Sequence, residues 1–144
     1  MKAKNSKSRE YNLVVASRVE SVEKVEELTD KITKSLKFND RARDSIAIAV
    51  TEAVNNAIIH GNKLDPNKSV YVDIIASDER IQITVRDEGD GFNPDEVPNP
   101  LAPENLLKES GRGIFILKSL MDEVTFDFSK GGTEVTMVKY KQGK

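Results

Sequence analysis

The stretch from Arg41 to His60 most constrains what this chain can fold into. Ile46, Ala47, Ile48, Ala49, Val50, Ala53, Val54, Ala57, Ile58 and Ile59 crowd a segment of helical length. A helix that apolar has to be covered over most of its circumference. Gly61 and Asn62 then supply a C-terminal stop. The cover is found in the flanking sequence. Val70 to Ala76 and Arg80 to Arg86 alternate as strands joined at Ser77-Asp78-Glu79, and Glu10 to Ala16 is a further strand candidate. Val19, Val22, Val25, Leu28, Ile32 and Leu36 recur at helical spacing, with Ser17 and Ser21 as N-cap candidates and Phe38-Asn39-Asp40 as the break. Gly111 to Met121 reads as a helix with a glycine-rich start, and Glu123 to Ser129 with Thr133 to Tyr140 as a hairpin around Lys130-Gly131-Gly132. The order β-α-α-β-β-loop-α-β-β predicts an α+β fold. Helices cover one face of a mostly antiparallel sheet in a two-layer α/β sandwich.

A chain of 144 residues fits one domain, expected over residues 10–144, after a basic, solvated tail over residues 1–9. With no Cys and one His, disulfides, thiolate chemistry and multi-histidine zinc sites are excluded. A net charge of -2 carries no nucleic-acid footprint, so no direct nucleic-acid binding is expected. No apolar run approaches the ~20 residues of a membrane span, and no apolar segment follows the basic start. A cytoplasmic protein without a membrane partner is the expectation.

Three local features stand out. Glu52 and Asn56 share one face of the apolar helix, with His60 nearly on it. A carboxylate there is costly unless it is paired, faces a cleft or lies on a solvated face. Asp87-Glu88-Gly89-Asp90-Gly91 follows a strand, where two glycines permit close backbone approach to a ligand; an acidic turn is the ordinary alternative. Gly111-Arg112-Gly113 opens a helix, and free N–H groups at a helix start attract phosphate, although a lone G-x-G is common. Between the last two, Asp87 to Ser110 holds Gly89, Gly91, Pro94, Pro98, Pro100 and Pro103. A segment like that is an active-site lid or a disordered connection.

The order and spacing of the three resemble the GHKL ATPase family, which includes gyrase-type topoisomerases, MutL proteins and histidine kinases. Glu52-Ala53-Val54-Asn55-Asn56 is similar to its N box. Asp87-Glu88-Gly89-Asp90-Gly91 resembles the first glycine box, Gly111-Arg112-Gly113 the second, and Gly131-Gly132-Thr133 the closing G-T element. The likeness runs over about residues 10–140. The only His follows the N box directly, and no phosphoacceptor helix pair is present. In length and in the run Thr51 to Gly61, as in Leu120-Met121-Asp122-Glu123-Val124, the chain is similar to the anti-sigma-factor serine/threonine kinases of that family.

The resemblance implies ATP and Mg²⁺ as cofactors. Asn56 would bind Mg²⁺, which bridges the phosphates, and Glu52 would be the general base on the attacking hydroxyl. Asp87 would accept from the adenine amino group, with Gly89 and Gly91 close to the base and Thr133 supporting it. Gly111, Arg112 and Gly113 would hold the phosphates, while Asn55 and His60 shape or line the site. Some members carry an arginine just before the Ser-Gly-x-Gly element. That place is Glu109 here, and Arg112 is the cation that would stabilise transferred charge. The implied partners are a STAS-type anti-anti-sigma protein, which is phosphorylated, and a sigma factor, which is sequestered, with the chain as a homodimer. The alternative is an ATP-binding regulatory module that holds a partner without phosphoryl transfer.

Overall fold

All the predicted strands lie in one sheet, and buried residues alternate with exposed or half-buried ones along Ser69–Ala76 and Arg80–Arg86. The computed structural model describes residues 8–89 and 109–141, with the backbone alone described over 109–112. The strands are β1 (Arg9–Ala16), β2 (Ser69–Ala76), β3 (Arg80–Arg86), β4 (Glu123–Asp127) and β5 (Glu134–Tyr140). They lie in the order β1-β2-β3-β5-β4, and each neighbouring pair is antiparallel. The register stacks like with like. Val72 stands opposite Val85, Ile74 opposite Ile83, and Ile83 in turn opposite Met137. All of these are at most 1% exposed. Burying each such side chain stabilises the fold by about 1.5–3 kcal/mol.

The face these residues present is closed by α1 (Ser21–Ser35), α2 (Asp40–Asn55) and α3 (Glu109–Leu120). Val22, Val25 and Ile32 of α1, Ile46, Ala49, Val50, Ala53 and Val54 of α2, and Leu117 of α3 join the strand residues in one apolar cluster. The expected two-layer α+β architecture is therefore present. Polar contacts fix how α1 lies on α2: Thr51 Oγ1 donates to Glu26 Oε2 at 3.0 Å, and Arg43 pairs with Asp30 at 2.5 Å. Among the described residues no helix is long and apolar enough to cross a membrane.

The structure departs from several local expectations. Neither Ser17 nor Ser21 caps α1: Glu20 holds the N-cap position without a side-chain bond. Ser17 is buried at the end of β1, where its hydroxyl donates to the Lys68 carbonyl at 2.6 Å, so a tertiary partner outcompetes the helix end. Asn39, expected as part of a break, caps α2 by accepting from the Ala42 N–H at 2.8 Å. The apolar run is not covered all round, since Ile48 and Ile59 are exposed. Nor is it α-helical throughout. Residues Asn56–Gly61 form a π-helical turn, closed by the Asn62 N–H donating to the Ala57 carbonyl five residues back. β1 also takes in Arg9, which was expected in the tail.

Candidate nucleotide-binding site

The π turn extends α2, and each end of this continuous helical run meets one of the glycine-rich elements. At the first end stand Glu52 and Asn56, one helical turn apart and both half-buried. Gly113 of α3 lies against them. A Cβ built there would sit inside van der Waals distance of Asn56 Nδ2, 2.8 Å from Glu52 Oε2 and 3.3 Å from Asn56 Cγ. The missing side chain thus lets the α3 backbone rest directly on a carboxylate and a carboxamide. α3 begins at Glu109, so Gly111-Arg112-Gly113 lies within the helix rather than opening it. The contribution of Gly113 here is space. The side chain of Arg112 lies outside the described residues, as do Gly91 and residues 90–108 of the lid predicted over Asp87 to Ser110.

At the other end is Asp87. It follows β3 two residues after Val85, so the pleat turns it to the same helix-covered face. It is 4% exposed. Its N–H donates to the Thr133 carbonyl at 3.0 Å, and Thr133 N–H donates back to Asp87 Oδ1 at 3.0 Å. The Gly89 N–H donates to the same oxygen at 2.9 Å. Thr133 therefore contributes its main chain to this end. Burial raises the Asp87 carboxyl above its ordinary pKa, opposed by the Thr133 and Gly89 N–H bonds and by the positive charges of Lys68 and Arg86.

Glycines surround this aspartate. A Cβ on Gly61, in the π turn, would collide with Asp87 Oδ2, and one on Gly132 would collide with the Asp87 carbonyl and stand 2.8 Å from Oδ1. A Cβ on Gly89 would collide with the Gly61 carbonyl. Gly131, at φ 91° in the left-handed region, makes the hairpin turn that delivers Gly132 and Thr133.

The structure thus brings together two sets among the sequence-predicted residues: Glu52, Asn56 and Gly113 at one end, and Asp87, Gly89 and Thr133 at the other. Asn55 is the half-buried last residue of α2, and His60 is exposed in the π turn. Gly61 and Asn62 were read only as a helix stop, yet both are built into the Asp87 end. Asn62 is buried, and its Oδ1 accepts from the Glu88 N–H at 2.7 Å. The quoted run ending in Gly61 was the available signal for the first of them.

A two-layer α+β sandwich with a polar N-box-like helix face and a glycine-cradled aspartate defines a GHKL-type ATPase domain. Residues 15–139 match the family described as "Histidine kinase-like ATPase domain", and the chain belongs to that family. An anti-sigma F factor from Bacillus cytotoxicus is 42% identical over 100 residues, covering 66% of this chain and 67% of the relative. The serine-protein kinase RsbW of Bacillus subtilis is 35% identical over 107 residues, covering 70% of this chain and 66% of the relative. Among solved structures, the RsbU and RsbW domains of a Mycobacterium tuberculosis protein superpose with a TM-score of 0.63, covering 91% of this chain and 31% of that one. At 16% identity that likeness is one of fold.

Proposed function

We propose that the chain is an ATP-dependent serine/threonine protein kinase and anti-sigma factor. It phosphorylates a STAS-type anti-anti-sigma partner in the cytoplasm, sequesters a sigma factor, and works as a homodimer. The observation that carries the catalytic part is the packing of Glu52 and Asn56 together against Gly113. A carboxylate half-buried beside a carboxamide, with the glycine of a facing helix packed against both, suits transfer of a terminal phosphoryl group. The relatives named anti-sigma F factor and serine-protein kinase support the regulatory part.

In this reading adenine enters the Asp87 end. Ionised Asp87 is an acceptor-only group and takes a hydrogen bond from the exocyclic amino group. Gly61, Gly89 and Gly132 keep the surrounding main chain close, and Gly91 lies next along the same box. The ten residues from Glu52 to Gly61 span roughly 10–14 Å of helix, leaving the triphosphate to run along it toward α3. Gly111 and Arg112 bind the phosphates there, and Arg112 offsets charge on the transferred group. Glu52 takes the proton from the partner's Ser or Thr hydroxyl as its oxygen bonds to the terminal phosphorus and ADP leaves.

The site suits Mg²⁺ carried in with phosphates. Asn56 and Glu52 offer oxygen donors side by side, while no group of three or more His, Asp or Glu among the described residues forms a closed cage. Asn56 would hold the ion, which when bound supplies charge neutralisation of the phosphate oxygens.

The test is Glu52→Gln with Mg-ATP and STAS-type partners from the source cell, read by mass spectrometry. Phosphorylation should fall ~10²–10⁴-fold while nucleotide affinity and sigma-factor binding persist. Transfer at the original rate would remove Glu52 as the base. An unmodified protein that binds partners only with ATP, yet phosphorylates none, would establish the non-catalytic module instead.

A further inference from the structure

Asn62 is 1% exposed and has no part in the chemistry above. Its Nδ2 donates to Ser17 Oγ at 2.8 Å and to the Ser69 carbonyl at 2.9 Å, and its Oδ1 accepts from the Glu88 N–H at 2.7 Å. The Ser17 hydroxyl in turn donates to the Lys68 carbonyl at 2.6 Å. The backbone N–H of Asn62 closes the π turn on Ala57 at 2.8 Å. Both amide protons and the carbonyl oxygen are thus used, in a site closed to water. The partners lie just past β1, at the entry to β2 and just past β3, while Asn62 itself is fixed to the helical run. A residue that merely ended a helix would need none of these bonds.

The bond to Glu88 bears on the nucleotide. That N–H belongs to the same peptide plane as the Asp87 carbonyl, against which Gly132 packs. Gly61, the residue before Asn62, is the surface on which Asp87 Oδ2 and the Gly89 backbone rest. One side chain therefore sets the position of the peptide after Asp87 while its own backbone carries the glycine that Asp87 touches.

We infer that Asn62 is a positioning residue for base recognition: it holds the Asp87 carboxylate where an exocyclic amino group can meet it, without touching the ligand. The inference rests on the proposed role of Asp87 as the adenine acceptor. If it holds, Asn62 acts on the fraction of affinity that comes from the amino group and on little else. Leaving buried donors and acceptors unpaired is what makes such a hinge sensitive to truncation.

The probes are Mg-ATP and the Mg²⁺ complex of purine riboside triphosphate, which lacks the amino group. Affinities are measured by calorimetry on the unmodified chain, Asn62→Ala and Ser17→Ala, with melting temperatures recorded alongside. The unmodified chain should prefer ATP. Asn62→Ala should weaken ATP by about tenfold or more and leave purine riboside triphosphate nearly unchanged, so that the preference collapses. Ser17→Ala, which removes one of the three bonds, should lose part of the preference, and it carries the same comparison should Asn62→Ala not fold. An undiminished preference in the folded variants, or an equal loss for both triphosphates, would overturn the inference and leave the Asp87 reading standing. Equal affinity of the unmodified chain for the two triphosphates would remove the Asp87 reading and this inference with it.

Discussion

Gly113→Ala separates the cost of filling a contact from the cost of losing a site. The added methyl would overlap Asn56 Nδ2, come within 2.8 Å of Glu52 Oε2, and stand 3.3 Å from Asn56 Cγ. The helix beneath cannot retreat, because Ala49, Val50, Ala53 and Val54 are at most 3% exposed. Overpacking of this kind costs about 1–3 kcal/mol, while Ala in place of Gly inside a helix returns about 1 kcal/mol. The net stability change is therefore about 0–2 kcal/mol, and the melting temperature should fall by no more than ~8 °C. Function should suffer more. The Glu52 tip can swing aside, but the shorter Asn56 carboxamide has less freedom, and displacing a positioned group by about 1 Å can cost ~10²-fold. Thermal melts should show a folded protein, calorimetry weakened Mg-ATP binding, and a partner assay phosphoryl transfer reduced by about that factor. A variant with unchanged affinity and transfer would refute the claim that Gly113 leaves room for Asn56 and Glu52 to work.

Gly61→Ala would place a methyl on Asp87 Oδ2 and 3.0 Å from its Cβ, so it should destabilise by ~1–3 kcal/mol in urea unfolding despite the better helix propensity of Ala; a stabilised variant would contradict the close approach. For Asp87, burial raises the folded pKa, so its contribution to stability is present below the ordinary carboxylate range and is lost as pH rises through the raised value. Asp87→Asn should therefore melt higher than the unmodified chain at neutral pH, with the gap closing on acidification, while adenine preference disappears; a lower melting point at neutral pH would show that the surrounding N–H groups and cations outweigh burial. Asn56→Ala should abolish the Mg²⁺ dependence of ATP binding together with most of the affinity, and equal ATP binding by the unmodified chain with and without Mg²⁺ in calorimetry would remove Asn56 as the metal ligand.

What could be read from the residue order was whatever a single period or spacing encodes. Alternation in Val70 to Ala76 and Arg80 to Arg86 fixed both strands and the face that Val85, and hence Asp87, presents. Four-residue spacing placed Glu52 beside Asn56. Residues whose local and tertiary roles compete were harder to read. A serine ahead of a helix ordinarily caps it, yet Ser17 serves the Lys68 carbonyl and Asn62 instead. A Gly-Asn pair ordinarily ends a helix, and the helical run does end at Gly61 and Asn62, but the same glycine also makes room for Asp87 and the same asparagine ties down Glu88. The π turn has no periodic signature, because it changes the pitch over only six residues.

That turn also explains how one helical run reaches two distant elements. Continued as an α-helix, the face carrying Glu52 and Asn56 would pass through His60. A π turn takes in one extra residue, so everything after it is rotated by about 100° relative to that course. Here the ladder widens to the five-residue bond from Asn62 to Ala57, and the Leu64 N–H reaches still farther back to Ile58. The rotation leaves His60 exposed and brings Gly61 against Asp87 and Asn62 into the junction of strand ends. Such turns occur often at functional sites, and the arrangement supplies a physical reason. The α-helical part sets the side chains that face α3, and the π-helical part sets the backbone that faces the end of β3, so the two ends of the candidate site share one continuous helical support.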